Sequence, residues 1–283
     1  IKKTKIKIVV DAVNGAASKA LPLLLESLDC ELIKISCDDS QPFPRIPEPI
    51  PENLNMLSNA VVKNNADLGV ATDPDGDRLS LVDNNGTPIG EEFTLALSFY
   101  HYLKKSKSNE CMVTNLSSSS LSNFITSSLN SNLKRSPVGE INVIELMKIH
   151  NSPLGGEGNG GVIYKNSHLC RDSLIATTFI LDLLAEEKNQ SLSDILKIFP
   201  KFFMIKDKLI IENIDPLIAL QKISTYFKEN TQIKTDGIKI LFKDKWLHIR
   251  SSNTEPIIRI IAESKCKSDT KKLIELVKKI ILE

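Results

Sequence analysis

The stretch LGVATDPDGDRLSLVDNNG, residues 68–86, holds a short apolar strand, an acidic loop, a second strand and a turn. Residues 68–72 are a buried-type run, and residues 79–83 are a second run closed by the turn formers Asn84-Asn85-Gly86. Between them Asp73, Asp75 and Asp77 recur at alternate positions, and Pro74 and Gly76 allow a tight loop in which their oxygens converge. Three clustered carboxylates repel one another and call for a cation. Hard oxygen donors that leave coordination positions for phosphate or water suit Mg2+. A plain polar turn, the simpler alternative, needs only one or two such residues. An EF-hand counted from Asp73 fails, since its sixth and twelfth positions are Arg78 and Asn84 instead of Gly and Glu. An outside alternative makes Asp73 the nucleophile of a phosphatase with Asp75 as acid/base, but Asp77 stands where that chemistry uses a small or β-branched residue.

Upstream, residues 5–10 form a β-branched strand that passes through Asn14-Gly15 into a helix carrying Leu21, Leu24, Leu25 and Leu28, and residues 31–35 form a second strand. Five prolines between Gln41 and Asn53 exclude helix and sheet interior and predict an ordered surface connection. Helical spacing resumes at Leu54, Leu57, Val61 and Val62, so the segment ending at the acidic loop is a βαβ-type unit. A helix over 91–103 follows, and polar residues 104–109 mark a boundary. Beyond it a strand at 111–114, a serine run at 117–120 that suits a helix cap, a helix over 143–150, the loop GGEGNGG at 155–161, a strand at 162–164 and a helix over 171–187 indicate a second α/β domain.

From Phe202 the pattern becomes strand 203–211, helix 216–228, strands 238–243, 246–250 and 257–263, and helix 269–281. The last helix has Leu273, Leu276, Val277 and Ile280 on one face and Lys271, Lys272, Lys278 and Lys279 as a solvated face. The expected fold is α/β: two mixed α/β-sandwich domains, residues 1–108 with the metal-binding loop and 109–200 with a sugar-binding loop. A smaller α+β domain with an antiparallel sheet, residues 201–283, carries a phosphate-binding loop. No internal sequence repeat is visible.

Composition bounds the function. The 283 residues suit two or three domains. Lys+Arg is 36 and Asp+Glu 35, a net charge of +1, so no overall field favours nucleic acid or a membrane surface, and an anionic ligand must be caught locally. The hydrophobic fraction is 41%. No apolar run approaches the ~18 residues of a span, and no signal peptide is visible, so a cytoplasmic protein is expected. Five cysteines without CxxC pairing favour reduced thiols. The chain starts at Ile1, inside a strand-like run, as though cut from something longer.

GGEGNGG sets Glu157 and Asn159 among five glycines, which let backbone approach a ligand while the carboxylate and amide suit sugar hydroxyls. A flexible turn is the alternative. Arg171 and Asp172 follow at a helix start, where Asp172 also suits the helix dipole. RSSNTEP, residues 250–256, joins two strands and offers Arg250, Ser252, Asn253 and Thr254 as a phosphate cradle. Of the four histidines only His168 lies near a candidate site.

In order, DPDGDR, GEGNGG with its following RDS, and RSSNTEP resemble the α-D-phosphohexomutases, the family of phosphoglucomutase, phosphomannomutase and phosphoglucosamine mutase. VVDAVNGAAS at 9–18, PEPIPENL at 47–54 and Pro137-Val138-Gly139 support the match, which spans essentially the whole chain. The resemblance implies interconversion of hexose 6-phosphate and hexose 1-phosphate, with glucosamine or mannose phosphate favoured, through a phosphoserine and a bisphosphate intermediate. Asp73, Asp75 and Asp77 would hold Mg2+, with Arg78 as the catalytic residue beside it. Glu157, Asn159, Arg171 and Asp172 would bind the sugar, and Arg250, Ser252, Asn253 and Thr254 the non-transferring phosphate.

The family's serine loop has no match here, so the chain resembles domains two to four, with an N-terminal phosphoserine domain of the same polypeptide missing and the fragment alone inactive. A non-catalytic sugar-phosphate-binding protein is the alternative. Gly161 stands where many members have His, and Glu140-Ile141-Asn142 where a basic residue is common, which leaves the general acid/base open.

Overall fold

Apolar runs too short for helices become the strands of two small sheets. The computed structural model describes residues 5–107, 109–187, 190–211, 214–252 and 256–283. In it β1 (Lys7–Asp11), α1 (Ala17–Ser27), β2 (Glu31–Ile35), α2 (Asn55–Lys63), β3 (Leu68–Thr72) and β4 (Leu79–Val82) build a sheet of order β2-β1-β3-β4. β1 pairs in parallel with β2 and β3, and β4 folds back antiparallel on β3. After α3 (Glu92–Ser106), the elements β5 (Met112–Asn115), α4 (Ser120–Ser128), β6 (Leu133–Ser136), α5 (Glu140–Ile149), β7 (Leu154–Glu157) and β8 (Gly161–Tyr164) repeat that pattern as β6-β5-β7-β8. Again β8 alone is antiparallel. Then come α6 (Ser173–Glu186) and the short α7 (Leu192–Ile195).

The two sheets share one topology that no residue repeat announces, because a buried strand requires only small or apolar side chains. The acidic loop and the glycine loop consequently occupy equivalent places, each between the third strand of its sheet and the antiparallel fourth. β7 escapes prediction because Gly155 and Gly156 carry no apolar signal. Gly155 is nonetheless required there, since a Cβ would lie 2.5 Å from Met147 Sδ on α5. The predicted serine cap is present: Ser119 accepts the Leu121 N–H. The proline segment contains only a single 3-10 turn, Pro51–Asn53.

A second compact unit begins after Pro200. It consists of β9 (Phe203–Ile210), α8 (Pro216–Tyr226), β10 (Thr231–Ile233), β11 (Ile238–Leu241), β12 (Lys245–Ser251), β13 (Ile257–Ser264) and α9 (Lys267–Leu282). The sheet order is β10-β11-β12-β13-β9, antiparallel throughout. Within this sheet the edge strand β10, three residues long and partly polar, is the strand that sequence periodicity misses. Ile223, Ile240, Leu247, Ile258, Ile260 and Val277 form its core. On α9 Lys271, Lys272 and Lys279 are exposed, while Lys278 is half-buried and pairs with Asp207 at 2.6 Å. Among the described residues no helix is long and apolar enough to cross a membrane.

His248 on β12 is buried, and its Nε2 lies 2.7 Å from the Asp236 carbonyl oxygen. Burial pushes its pKa down to about 4. The unfolded chain therefore binds the extra proton between about pH 6.5 and 4, so the stability that neutral His248 contributes is present above 6.5 and lost as pH falls towards 4. About 2 kcal/mol should be lost between pH 7 and 5. Trp246, the single tryptophan, lies on the same strand and reports urea unfolding by fluorescence. A pH-independent urea midpoint over this range would refute the assignment, and His248→Gln should flatten the dependence.

Candidate functional site

The acidic loop is held from three sides. Arg45, from the proline segment, pairs through Nε with Asp11 Oδ2 at 2.8 Å and donates from Nη2 to the Thr72 carbonyl at 3.0 Å. Its Nη1 donates to the carbonyls of Ile46 and Pro47. Arg45 and Asp11 side chains are 6% and 1% exposed, so this pair ties the end of β1, and through the Thr72 carbonyl the end of β3, to the connection that the prolines predict to be ordered. On a second side Ala16 N–H donates to Pro74 O at 2.8 Å, and a Cβ on Gly15 would stand 2.5 Å from that oxygen. On the third, Ser173 at the start of α6 donates from Oγ to Gly76 O at 2.6 Å.

Within the loop, Asp73 is 3% exposed. Its Oδ1 accepts the N–H groups of Asp77 and Arg78 at 3.2 and 3.1 Å, and its Oδ2 faces Arg78 Nε at 3.2 Å. Burial pushes its pKa up to about 7; the Arg78 N–H opposes this, while the Asp77 and Asp75 carboxylates add to it. Asp73, Asp75 and Asp77 each offer an oxygen within 4.8 Å of the others. Asp77 Oδ1 is buried without a hydrogen-bond partner among the described residues. An orphaned buried acceptor among converging carboxylates fits a hard divalent cation.

Glu157, at the end of β7, is 5% exposed and already well partnered. Oε1 accepts from Asn115 Nδ2 at 2.7 Å and from Gly139 N–H at 3.0 Å, and Oε2 faces Arg171 Nη1 at 3.1 Å. Arg171 joins the two loops: its Nη2 is 2.5 Å from Asp77 Oδ2, and its Nε is 3.5 Å from Glu140 Oε2. The carboxylates of Asp73, Asp77, Glu140, Glu157 and, at 3.6 Å, Glu48 face two guanidiniums, Arg78 and Arg171, and Asp75 lies with Asp73 and Asp77, so carboxylates outnumber guanidiniums around the loops. The loops also touch through backbone, Leu79 N–H donating to Gly160 O at 3.0 Å. Gly160 has φ +95°, and a Cβ there would lie 2.4 Å from the Leu79 carbonyl.

The remaining expected site residues are placed variously. Asn159 turns inward, its Oδ1 accepting the Gly161 N–H at 3.3 Å. Asp172 is the N-cap of α6, accepting from Leu174 and Ile175 N–H, and exposed His168 lies 3.3 Å from its Oδ2. In the second unit Arg250 sits at the end of β12 with Nε buried and without an acceptor among the described residues. Ser252 N–H donates to Ile257 O at 2.9 Å. Asn253 and Thr254 lie outside the described residues. Asn115 and Arg45 are the participants that sequence reasoning misses, while Glu140 and Ser173 enter it only inside quoted motifs, without a role of their own. Only Arg45, a lone guanidinium in a proline-rich run, carries a local signal.

Sequence models described as phosphoglucomutase/phosphomannomutase alpha/beta/alpha domain II, alpha/beta/alpha domain III and C-terminal domain match residues 1–86, 91–202 and 206–280. A phosphoglucomutase/phosphomannomutase of Thermococcus kodakarensis is 35% identical over 100% of the chain and 62% of its own length. A phosphoglucosamine/phosphogalactosamine mutase of Sulfurisphaera tokodaii is 33% identical over 99% of the chain and 63% of its own length. The crystal structure of a phosphoglucomutase/phosphomannomutase family protein from Burkholderia thailandensis shares the fold with a TM-score of 0.85 at 24% identity, covering 97% of the chain and 60% of that protein. The chain therefore spans less than two thirds of these proteins' length.

Proposed function

The chain belongs to the phosphoglucomutase/phosphomannomutase family, and on that premise we propose that it carries the metal, sugar and phosphate loops of a phosphohexomutase. The reaction is the interconversion of hexose 6-phosphate and hexose 1-phosphate, with a glucosamine or mannose phosphate as substrate. A phosphoserine on a domain outside these 283 residues exchanges its phosphoryl group with the sugar through a bisphosphate. The observation that carries the proposal is the single guanidinium of Arg171 spanning Asp77 and Glu157, because it supports a common site for metal and sugar.

Asp73, Asp75 and Asp77 would hold Mg2+, which supplies positive charge against a phosphoryl oxygen when bound. Arg78, with its side chain 30% exposed, is positioned by Asp73 and Asp77 and adds a second positive charge at the same place. Glu157 has both oxygens engaged, so it binds sugar hydroxyls through remaining lone pairs and with a fixed orientation. Asp172 contributes indirectly: it caps α6, which sets Arg171 and Ser173 against the two loops. Arg250, Ser252, Asn253 and Thr254 take the non-transferring phosphate, and Arg250 is suited to it because its guanidinium offers a charged fork. The three-domain division at residues 108 and 200 assigns one such loop to each domain.

The test is a panel of glucosamine, mannose and glucose 6-phosphates. The full-length polypeptide should turn over at least one of them with Mg2+, and the 283-residue chain alone should bind hexose phosphate weakly without turnover. Turnover by the chain alone would overturn the phosphoserine assignment. Binding without turnover by the full-length polypeptide would establish a sugar-phosphate-binding protein instead.

A further inference from the structure

Away from both loops, α3 and α6 bring a histidine and two carboxylates together. His101 on α3 is 2% exposed, and its Nε2 lies 2.9 Å from Asp182 Oδ2 on α6. Its other ring nitrogen, Nδ1, is buried without a hydrogen-bond partner among the described residues and faces Glu186 Oε2 at 3.8 Å. If Nε2 carries the proton and donates it to Asp182, Nδ1 presents a lone pair to a carboxylate oxygen. Two acceptors face each other across a gap too wide for a hydrogen bond. A carboxylate on the far nitrogen is also the arrangement that orients a metal-binding imidazole and raises its basicity.

We propose that His101 Nδ1 and Glu186 Oε2 form a second cation site, for a divalent transition metal such as Zn2+ or Co2+, with Asp182 fixing the imidazole. Two donors about 2.1 Å from a tetrahedral ion stand about 3.4 Å apart, so the gap closes with a shift of a few tenths of an ångström. A nitrogen donor selects such ions over Mg2+, which keeps this site chemically distinct from the all-oxygen aspartate cluster.

Lys105 pairs with Asp182 and, at 3.0 Å, with Glu186 Oε1. It leaves Oε2 to the ion but competes electrostatically with it. Glu186 is 43% exposed, so an ion can approach from its side, and a cavity of about 460 Å³ lined in part by His101, Lys105, Tyr164 and Phe179 lies against Asp182, on the other side of the imidazole. An ion here cross-braces α3 and α6, the helix whose N-terminal Ser173 holds the acidic loop.

The probe is Co2+, followed by visible absorption, titrated into the chain carrying Asp73→Asn and Asp75→Asn so that the aspartate cluster is silenced. One equivalent should bind with nitrogen-ligand bands and be displaced by Zn2+. Glu186→Gln, a half-exposed position that leaves packing intact, should abolish it. Asp182→Asn should weaken it about 10- to 100-fold. Lys105→Met should tighten it, the reverse of what a purely structural ion-pair cluster would show. Absence of nitrogen-ligated Co2+, binding unchanged in Glu186→Gln, or ring-nitrogen resonances showing both His101 nitrogens protonated throughout the titration would each overturn the proposal.

Discussion

Replacing Arg171 by alanine should lower the melting temperature of residues 1–200 by roughly 10 °C in EDTA. The side chain is 15% exposed and faces the carboxylates of Asp77, Glu157 and Glu140, whose own side chains are 17%, 7% and 28% exposed. Removing one partner of such a cluster leaves uncompensated, mostly buried negative charge, which costs about 3–5 kcal/mol. The effect should shrink in millimolar Mg2+, because an ion on the freed Asp77 replaces part of the lost positive charge. Arg171→Lys should fall between, since an ammonium keeps the charge but not the fork that reaches several carboxylates. Calorimetry with and without Mg2+ checks both parts. A melting temperature within about 2 °C of the parent in EDTA, less than the shift from 1 kcal/mol, would show that Arg171 does not join the loops.

Gly15→Ala should be nearly as damaging although it adds a single methyl group. That carbon would lie 2.5 Å from the Pro74 carbonyl oxygen and 2.8 Å from Pro74 Cα, and both are backbone atoms that cannot rotate away. Either the start of α1 or the acidic loop must shift, at a cost of about 3 kcal/mol. Displacing the loop spreads Asp73, Asp75 and Asp77, so Mg2+ affinity by isothermal titration should fall roughly tenfold or more. Gly90→Ala is the matched comparison. Gly90 has φ +87° and open space around its Cβ position, so only backbone strain of about 1 kcal/mol is expected, with Mg2+ binding unchanged. Equal Mg2+ affinity in Gly15→Ala and the parent would mean that the α1 start does not position the metal loop.

These two residues differ in how much of their role is visible locally. Gly15 follows Asn14 where a strand passes into a helix, so a glycine turn is expected from sequence, but the contact that forbids a side chain comes from Pro74, on a different strand end. Arg171 precedes a helix, and a cleft-lining role is what the family resemblance leads one to expect of it; that it pairs with Asp77 and Glu157 is not written in any local pattern. Glu157 is similar. Its glycine setting is plain in GGEGNGG, whereas Asn115 and Gly139, which hold its carboxylate, come from the ends of other strands and loops.

Sequence alone determined what depends on neighbours along the chain. The alternate spacing of Asp73, Asp75 and Asp77, the period-two and helical periodicities, the serine cap and the proline connection all follow from backbone geometry over a few residues. It therefore yielded the α/β class, the antiparallel last sheet and the order of the loops. The tertiary structure decided which strands neighbour one another and, with that, the shared topology that places the acidic and glycine loops at equivalent hairpins. It also decided which charges are buried and paired. Side chains far apart in sequence meet only after the sheets have packed, and the low dielectric and fixed distances that give Arg171, Asp73 and Arg45 their influence exist only there.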